Sequence, residues 1–229
     1  MFKERVTDVF FDLDHTLWDF ERNSALTFGK IFAEIGIAVD LEAFLQHYVP
    51  INHSYWKLFR ENKVTKQTLR FERLQRSFQA LGVQLPDAVI DTLSDAYIDT
   101  LSSFNHVFPG AYEILTYLKP HYKLHIITNG FDRVQDKKLR NADLDAFFSI
   151  VVNSEMAGVK KPDPGIFEMA LAKAGASPEK SLMIGDNLEA DILGAMKLGM
   201  YGLHFNSNDE PEHGFCPIIT DLGEIKSFL

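Results

Sequence analysis

The amino-acid sequence predicts an α/β fold, a doubly wound parallel sheet with an all-helical segment inserted into it. Short apolar runs alternate with helix-length segments over most of the chain, an order typical of a parallel sheet with helices on both faces. The alternation breaks between about residues 23 and 104, where amphipathic helical segments follow one another without a convincing strand. We therefore expect one domain from residues 1–18 and 105–229, and a helical domain from residues 19–104.

Five segments are predicted to form the strands of the sheet. The first, at residues 6–11, is β-branched and aromatic and ends abruptly in charged residues, which is typical of a buried strand with a functional tip. Similar runs occupy residues 124–128, 148–152, 181–184 and 201–205. Because strands that alternate with helices pair in parallel, polar residues at their carboxyl ends are candidates for a ligand site.

Between the predicted strands lie helix-length segments that begin near residues 109, 131, 163 and 187. The third start is the clearest, because Asp163 can cap it, Pro164 suits its first turn, and Gly175 can end the helix. In the helical domain, Thr65 can cap and Gly82 can end another helix. The apolar stripe of that helix consists of Leu69, Leu74, Phe78 and Leu81.

The composition is that of an ordinary folded protein, with 46% hydrophobic and 24% charged residues. A formal net charge of −9 argues against a general affinity for nucleic acid or for an anionic membrane. The N-terminal residues run directly into a strand, no apolar run has membrane-spanning length, and Cys216 is the single cysteine. We therefore expect a cytoplasmic protein without an internal disulfide, and monomer and homodimer both remain open.

The first motif with chemical meaning is Asp-Leu-Asp-His-Thr, directly after the first predicted strand. It places the carboxylates of Asp12 and Asp14 at the carboxyl end of that strand, where open α/β folds bind ligands. Taken alone, such a triplet is at least as often a polar turn. His15, between the two acidic residues and Thr16, is not expected to act as a ligand or base.

Three further groups of polar residues accompany later segments. They are Thr128, Asn129 and Gly130 after the second strand, Lys161 in a proline-containing loop, and Asp186 and Asp191 after the fourth strand. The glycine of the first group lets the backbone approach an anion closely. Each group alone is compatible with a turn or a solvated lysine, but the four groups in this order are hard to obtain by chance.

The order D-x-D-x-T, T-N-G, K-P and G-D-x4-D resembles the four motifs of the haloacid dehalogenase superfamily. The resemblance extends from about residue 6 to residue 205 and implies a Rossmann-like core in which the helical domain is a C1-type cap. It implies Mg²⁺-dependent phosphoryl transfer to a carboxylate. Since the reacting phosphate is negative, such a site must supply compensating positive charge.

The resemblance also implies roles for the motif residues. Asp12 would be the nucleophile, and it would bind Mg²⁺ together with Asp186 and the backbone carbonyl of Asp14. Asp14 would protonate the leaving oxygen and then deprotonate the attacking water. Asp191 would orient Lys161 or a metal-bound water.

The phosphoryl oxygens would be bound by Lys161 and Thr128, with Asn129 and Gly130 beside them. In related dehalogenases the position of Asp14 is not Asp, and in related ion-pumping ATPases it is Thr. The resemblance therefore implies a phosphatase or a phosphomutase. Its partner would be a small phosphorylated metabolite, with no nucleic acid and no membrane.

The helical domain should select the leaving group. Candidate substrate contacts are Asn52, Trp56, Arg70 and Arg73, with Tyr55 as a further aromatic ring. The alternative for each aromatic residue is a place in the core of the helical domain, and for each arginine a solvated surface.

Segments at residues 11–20, 69–73 and 128–131 resemble the pyrimidine 5'-nucleotidase branch of the superfamily. This implies nucleoside 5'-monophosphates as substrates. Three alternatives remain: a phosphatase for phosphoglycolate or sugar phosphates, a phosphomutase, and a regulator that binds a phosphorylated ligand without turnover. The last alternative requires a damaged catalytic set, whereas all four motifs are intact.

Overall fold

The structure is a computed structural model that describes residues 1–229. The chain divides into two compact units, one formed by Met1–Phe20 with Asn105–Leu229 and the other by Glu21–Phe104. The first unit contains every strand, and the regular elements of the second are all helices. None of the helices combines the length and the apolar character needed to cross a membrane.

The sheet of the first unit has six parallel strands. They are β1 (Asp8–Phe11), β2 (Lys123–Thr128), β3 (Ile150–Asn153), β4 (Ser181–Gly185), β5 (Tyr201–Phe205) and β6 (Ile218–Ile219). Their order is β3-β2-β1-β4-β5-β6, so the chain builds outward from β1 first on one side and then on the other. This confirms the predicted doubly wound parallel sheet.

The winding direction reverses between β1 and β4, which are neighbours in the sheet. In register, Phe11 at the end of β1 is paired with both Ile126 of β2 and Ile184 of β4. The carboxyl ends of these three central strands therefore meet, at the kind of switch point where open α/β sheets bind ligands. The sequence did not predict β6, because two residues are too few to form a recognisable alternating pattern.

The second unit is built from four helices, α1 (Phe20–Ile35), α2 (Leu41–Arg60), α3 (Lys66–Ala80) and α4 (Asp87–Leu101). Thr65 caps α3 as predicted, since its side-chain oxygen accepts a hydrogen bond of 3.1 Å from the Thr68 N–H. The inner faces of the helices meet in a cluster of aromatic rings formed by Phe28, Phe32, Phe44, Tyr48, Phe78 and Tyr97. Burial of these large rings holds the four helices together.

The helices of the first unit are α5 (Ala111–Leu118), α6 (Asp132–Asn141), α7 (Ser154–Ala157), α8 (Pro164–Ala174) and α9 (Gly194–Met196), with a π-helix at Leu188–Leu193. Asp163 caps α8 by accepting a hydrogen bond from the Gly165 N–H, and Gly175 ends it with a φ of +64°, both as predicted. The buried face of α8 packs against Phe10 of β1 and Met183 of β4.

One buried polar pair joins β1 to β2. His125 Nε2 donates to Asp8 Oδ1 over 3.0 Å, and Asp8 Oδ2 accepts from the Thr7 hydroxyl over 2.7 Å. His125 is 1% exposed, and its Nδ1 has no hydrogen-bond partner. Burial lowers the pKa of His125, although the neighbouring Asp8 carboxylate acts in the opposite direction.

Acidification should therefore weaken the fold through His125. A histidine with a lowered pKa in the folded state contributes its stability above the ordinary pKa of about 6.5 and loses it below, by at most about 1.4 kcal/mol per pH unit. Urea denaturation at about pH 7.5 and about pH 5.5 measures this loss. His125→Asn should lack this part of the pH dependence, whereas exposed His121→Asn should retain it. The same pH dependence in wild type and His125→Asn would contradict the prediction.

Candidate active site

The structure brings all four sequence motifs to the ends of the central strands. Asp12 follows β1, Thr128 ends β2, and Asp186 follows β4. The Asp12 N–H donates to the Ile184 carbonyl over 2.9 Å, so the sheet ladder continues to the nucleophile candidate and fixes its backbone. Asp12, Thr128, Lys161, Asp186 and Asp191 are all buried.

Lys161 is the centre of the site. Its ammonium group donates to Asp12 Oδ1 over 2.6 Å and to the Ile127 carbonyl over 2.6 Å, and it forms an ion pair of 2.6 Å with Asp191 Oδ1. Two hydrogen bonds and a second ion pair thus surround the ammonium group. The side chain is 2% exposed, so these contacts replace the water that it gives up.

Asn129 positions the loop that carries Lys161. Its Oδ1 accepts from the Lys161 N–H over 2.7 Å, and its Nδ2 donates to the Lys161 carbonyl over 3.0 Å. The Ser154 hydroxyl in turn donates to the Asn129 carbonyl. The Asn129 side chain, expected from sequence beside the phosphoryl group, is thus engaged with the lysine backbone.

Asp186 is held by several donors. Its Oδ1 accepts from the Thr16 hydroxyl over 3.2 Å and its Oδ2 accepts from Asn208 Nδ2 over 2.9 Å. His204 Nε2 donates to the Asp186 carbonyl over 2.8 Å. Asn208 and His204 were not expected from the sequence. The only feature of the sequence that points to them is their place at or just after the end of a predicted strand.

Asp191 lies on the π-helix, one turn beyond β4. Its Oδ2 accepts from the Asn187 N–H over 3.0 Å, and its Oδ1 forms the ion pair with Lys161. One carboxylate oxygen is therefore hydrogen-bonded, whereas the other lies at ion-pair distance from Lys161 without a hydrogen bond of good geometry. This arrangement suits a residue that orients Lys161.

Burial dominates the electrostatics of the cluster. Burial raises the pKa of Asp12 to about 7, against the lowering effect of Lys161, and Asp191 adds to the rise. Burial also raises the pKa of Asp186 well above its ordinary value, with further contributions from Asp191 and Asp12. Burial opposes the charge on Lys161, but Asp12 and Asp191 outweigh it and raise the lysine's pKa.

These residues fit a divalent cation with a preference for oxygen ligands. Carboxylate oxygens of Asp12, Asp186 and Asp191 lie within 4.8 Å of one another. When ionised, three carboxylates and one ammonium group leave a buried excess of two negative charges. Mg²⁺ carries the matching charge and is commonly held by one or two carboxylates and water. Asp12 and Asp186 are the better candidates to hold it, because these two carboxylates directly follow the neighbouring central strands β1 and β4.

Asp14 points to α6. Lys138 Nζ donates to Asp14 Oδ1 over 2.5 Å, and Gln135 Nε2 donates to Asp14 Oδ2 over 2.9 Å and to the Thr128 hydroxyl over 2.7 Å. The sequence analysis missed Gln135 and Lys138. The feature that could have revealed them is their place on the face of α6 that also carries buried Val134. Because α6 is very polar, its charged residues were expected to be exposed to solvent.

Two motif glycines are required by close packing of site residues. A Cβ at Gly130 would collide with the side-chain amide of Gln135, and a Cβ at Gly185 would collide with the carboxylate of Asp191. The sequence suggested that Gly130 lets an anion approach the backbone. The structure shows that its missing side chain makes room for Gln135.

The four predicted substrate contacts in the helical unit have different partners. Arg73 is 2% exposed, and its Nη1 donates to Asn52 Oδ1 over 2.8 Å. Arg70 instead forms an ion pair with Asp95, and the Trp56 ring packs edge-on against Phe59. The structure therefore brings Asn52 and Arg73 together and engages Arg70 and Trp56 elsewhere.

Fold and site together define a class of protein. Buried ionisable groups with strongly shifted pKa values, placed at the switch point of a parallel sheet, are typical of an enzyme site. The model of the haloacid dehalogenase-like hydrolase family matches residues 9–199. The chain therefore belongs to the haloacid dehalogenase-like hydrolases, which confirms the resemblance seen in the motifs.

Individual relatives cover nearly the whole chain. Pyrimidine 5'-nucleotidase YjjG of Escherichia coli is 31% identical, with 96% of each chain covered. Pyrimidine 5'-nucleotidase PynA of Streptococcus pneumoniae is 33% identical, with 89% of this chain and 85% of the relative covered. The solved structure of the HAD-hydrolase YfnB of Bacillus subtilis, bound to magnesium, has a TM-score of 0.87 at 28% identity and covers 98% of each chain.

Gly185→Ala should destabilise the protein, because the new methyl group must displace the Asp191 carboxylate. Overpacking of this kind typically costs about 1–3 kcal/mol. Gly214→Ala is the matched control, since an added Cβ there meets nothing within 4 Å. Urea denaturation without added metal compares the two variants with wild type. A Gly185→Ala protein as stable as Gly214→Ala would show that the contact with Asp191 is not tight.

Proposed function

We propose that this hydrolase is a Mg²⁺-dependent phosphatase that forms an aspartyl-phosphate on Asp12. The observation that carries the proposal is the buried cluster in which Lys161 holds one oxygen of Asp12 while Asp12 lies beside Asp186. This arrangement leaves Asp12 Oδ2 available for attack on phosphorus. It also supplies the positive charge that a carboxylate needs to approach a phosphate.

In the first step, an Asp12 carboxylate oxygen attacks phosphorus and the bond to the leaving oxygen breaks. Asp14 gives its proton to that oxygen. Lys161 and the Thr128 hydroxyl donate to the phosphoryl oxygens. Asp12, Asp186 and the Asp14 carbonyl would hold Mg²⁺, which when bound would supply further positive charge at the phosphoryl group.

In the second step, water attacks the phosphorus of the aspartyl-phosphate. Asp14, now ionised, takes the proton of the water, inorganic phosphate leaves, and the Asp12 carboxylate is restored. The proton that Asp14 gave in the first step is thus returned. An acid two residues after the nucleophile supports a hydrolase that uses both steps.

We further propose that the substrate is a nucleoside 5'-monophosphate with a pyrimidine base, and that residues 19–104 act as the cap that selects it. Support comes from the two pyrimidine 5'-nucleotidase relatives and from the polar group around Arg73. The Arg73 guanidinium lies 5.1 Å from the ring centroid of Tyr97 and 5.8 Å from that of Tyr48, and its Nε has no hydrogen-bond partner.

An arginine in such surroundings is short of acceptors. Asn52 offers Arg73 one amide oxygen, and the tyrosine rings offer only their faces. A buried guanidinium with an unpaired N–H is suited to bind the carbonyl oxygens of a flat base. Arg70 lacks this property, because Asp95 and Ser94 already accept its hydrogen bonds.

Phosphate release from a panel of monoesters tests the proposed reaction. With Mg²⁺, we expect turnover of thymidine and uridine monophosphates to exceed that of glycolate phosphate, sugar phosphates and an aryl phosphate, and excess chelator should abolish it. Faster turnover of the other esters would support the proposed phosphatase activity but contradict the proposed preference for pyrimidine nucleotides. If no ester released phosphate, a non-catalytic ligand-binding role would replace the phosphatase.

Asp12→Asn should reduce kcat by at least about 10³-fold, because the amide cannot act as the nucleophile. The fold should persist, which circular dichroism and thermal unfolding can check. Asp19→Asn, at an acidic residue outside the four motifs, is the control and should retain turnover. Full turnover by Asp12→Asn would rule out the covalent step assigned to this residue.

Arg73→Met should lower kcat/KM for pyrimidine nucleotides by about 10-fold or more relative to a small aryl phosphate, since loss of one buried hydrogen-bonding cation costs about 1.5–3 kcal/mol. Arg76→Met, at an exposed arginine of the same helix, is the matched control. Thermal unfolding of both variants separates substrate binding from cap stability. An equal loss for both kinds of ester would show that Arg73 does not discriminate between leaving groups.

A further inference from the structure

Asp14 is the only motif residue whose carboxylate is held entirely from outside the four motifs. One of its oxygens accepts from Lys138 and the other from Gln135, and both donors lie on α6. The Asp14 side chain is 20% exposed, whereas Lys138 is 2% exposed. The Asp14 carboxylate is thus more exposed than the buried lysine that donates to it.

Lys138 is a costly residue to bury. Its ammonium group lies 4.1 Å from the ring centroid of Trp18 and 5.1 Å from that of Phe20, in addition to its ion pair with Asp14. The aromatic faces offset part of the lost hydration. Well-packed apolar residues usually stabilise a core at least as well as a buried ion pair does. A buried lysine aimed at Asp14 therefore suggests a function beyond stability.

Gln135 links Asp14 to the phosphate-binding part of the site. Its Nε2 donates to Asp14 Oδ2 and to the Thr128 hydroxyl, while its Oε1 is buried without a partner. Both hydrogens of the amide group are thus donated to site residues, while the amide oxygen remains without a hydrogen bond. The absent side chain of Gly130 provides the space that this arrangement needs.

We propose that Gln135 and Lys138 are a positioning pair that fixes the direction of the Asp14 carboxyl group, which carries the proton in the first step, for proton transfer to the leaving oxygen. The proposal rests on the phosphatase mechanism above. Two donors, one on each carboxylate oxygen, restrict rotation about the Cβ–Cγ bond of Asp14. Proton transfer requires hydrogen-bond distance to the leaving oxygen, so a carboxylate that rotates freely loses rate.

If the pair positions Asp14, the loss of kcat/KM in its variants should depend on the leaving group. A purely structural role would not produce this dependence. A nucleoside or alkyl oxygen must be protonated as it leaves, whereas 2,4-dinitrophenolate leaves readily without a proton. The ratio kcat/KM reports the steps up to the first irreversible one, here the transfer of phosphate to Asp12. It therefore excludes the later hydrolysis, in which Asp14 serves every substrate.

The experiment compares kcat/KM for thymidine monophosphate, an alkyl phosphate and 2,4-dinitrophenyl phosphate in wild type and Lys138→Met. We expect losses of about 10–100-fold for the first two esters, as for other misplaced proton donors, and a clearly smaller loss for the third. Lys138→Arg keeps the cation and should recover part of the loss. Lys137→Met, which removes a neighbouring charge of the same helix, is the matched control and should behave as wild type.

A double-mutant cycle tests whether Lys138 acts on the reaction through Asp14. In an Asp14→Asn background, Lys138→Met should cause no further loss that depends on the leaving group, because the residue that it positions is already disabled. Gln135→Met should show the Lys138→Met pattern and also bind inorganic phosphate more weakly, through Thr128. Thermal unfolding of each variant identifies any general loss of structure.

The outcomes are distinguishable. Equal losses for all three esters, or additive effects of Lys138→Met and Asp14→Asn, would overturn the positioning role while leaving the phosphatase intact. Wild-type protein that releases phosphate from none of the three esters would overturn the phosphatase and the positioning role together. A leaving-group-dependent loss that disappears in the Asp14→Asn background is the result expected from the proposal.

Discussion

The ion pairs of Lys161 are the interaction on which the rest of the site depends. One ammonium group joins the tip of β1 through Asp12, the end of β2 through the Ile127 carbonyl, and the π-helix after β4 through Asp191. A buried ammonium without these acceptors would be strongly unfavourable. The lysine therefore holds together three segments that are far apart in the sequence. Asn129 in turn fixes the backbone of the lysine.

Close packing supports these charges. The carboxylate of Asp191 occupies the space that a side chain at Gly185 would take, and the amide of Gln135 does the same at Gly130. The spacing of each motif thus has a steric cause as well as a chemical one. Small residues at the strand ends allow the polar groups to approach one another, and the resulting burial raises the pKa values of Asp12 and Asp186.

Much of the fold and the site could be predicted from sequence, because the signals are local. The five longer strands, the cap of α8 at Asp163 and the cap of α3 at Thr65 follow from patterns within a few residues. The short β6 could not be predicted, since two residues have no period. Gln135 and Lys138 were missed because a polar helix suggests solvent, whereas in the fold Lys138 is buried against the rings of Trp18 and Phe20.

The sequence by itself determined the α/β class, the order of the four motifs and hence the family. The tertiary structure alone decided which polar residues share a buried site and which of the helical unit's arginines is already paired. The physical reason is distance along the chain. Periodicity and caps act over a few residues, whereas Lys138 is 124 positions from Asp14 and Lys161 is 149 positions from Asp12, so burial and hydrogen-bond partners are fixed only when the strands come together.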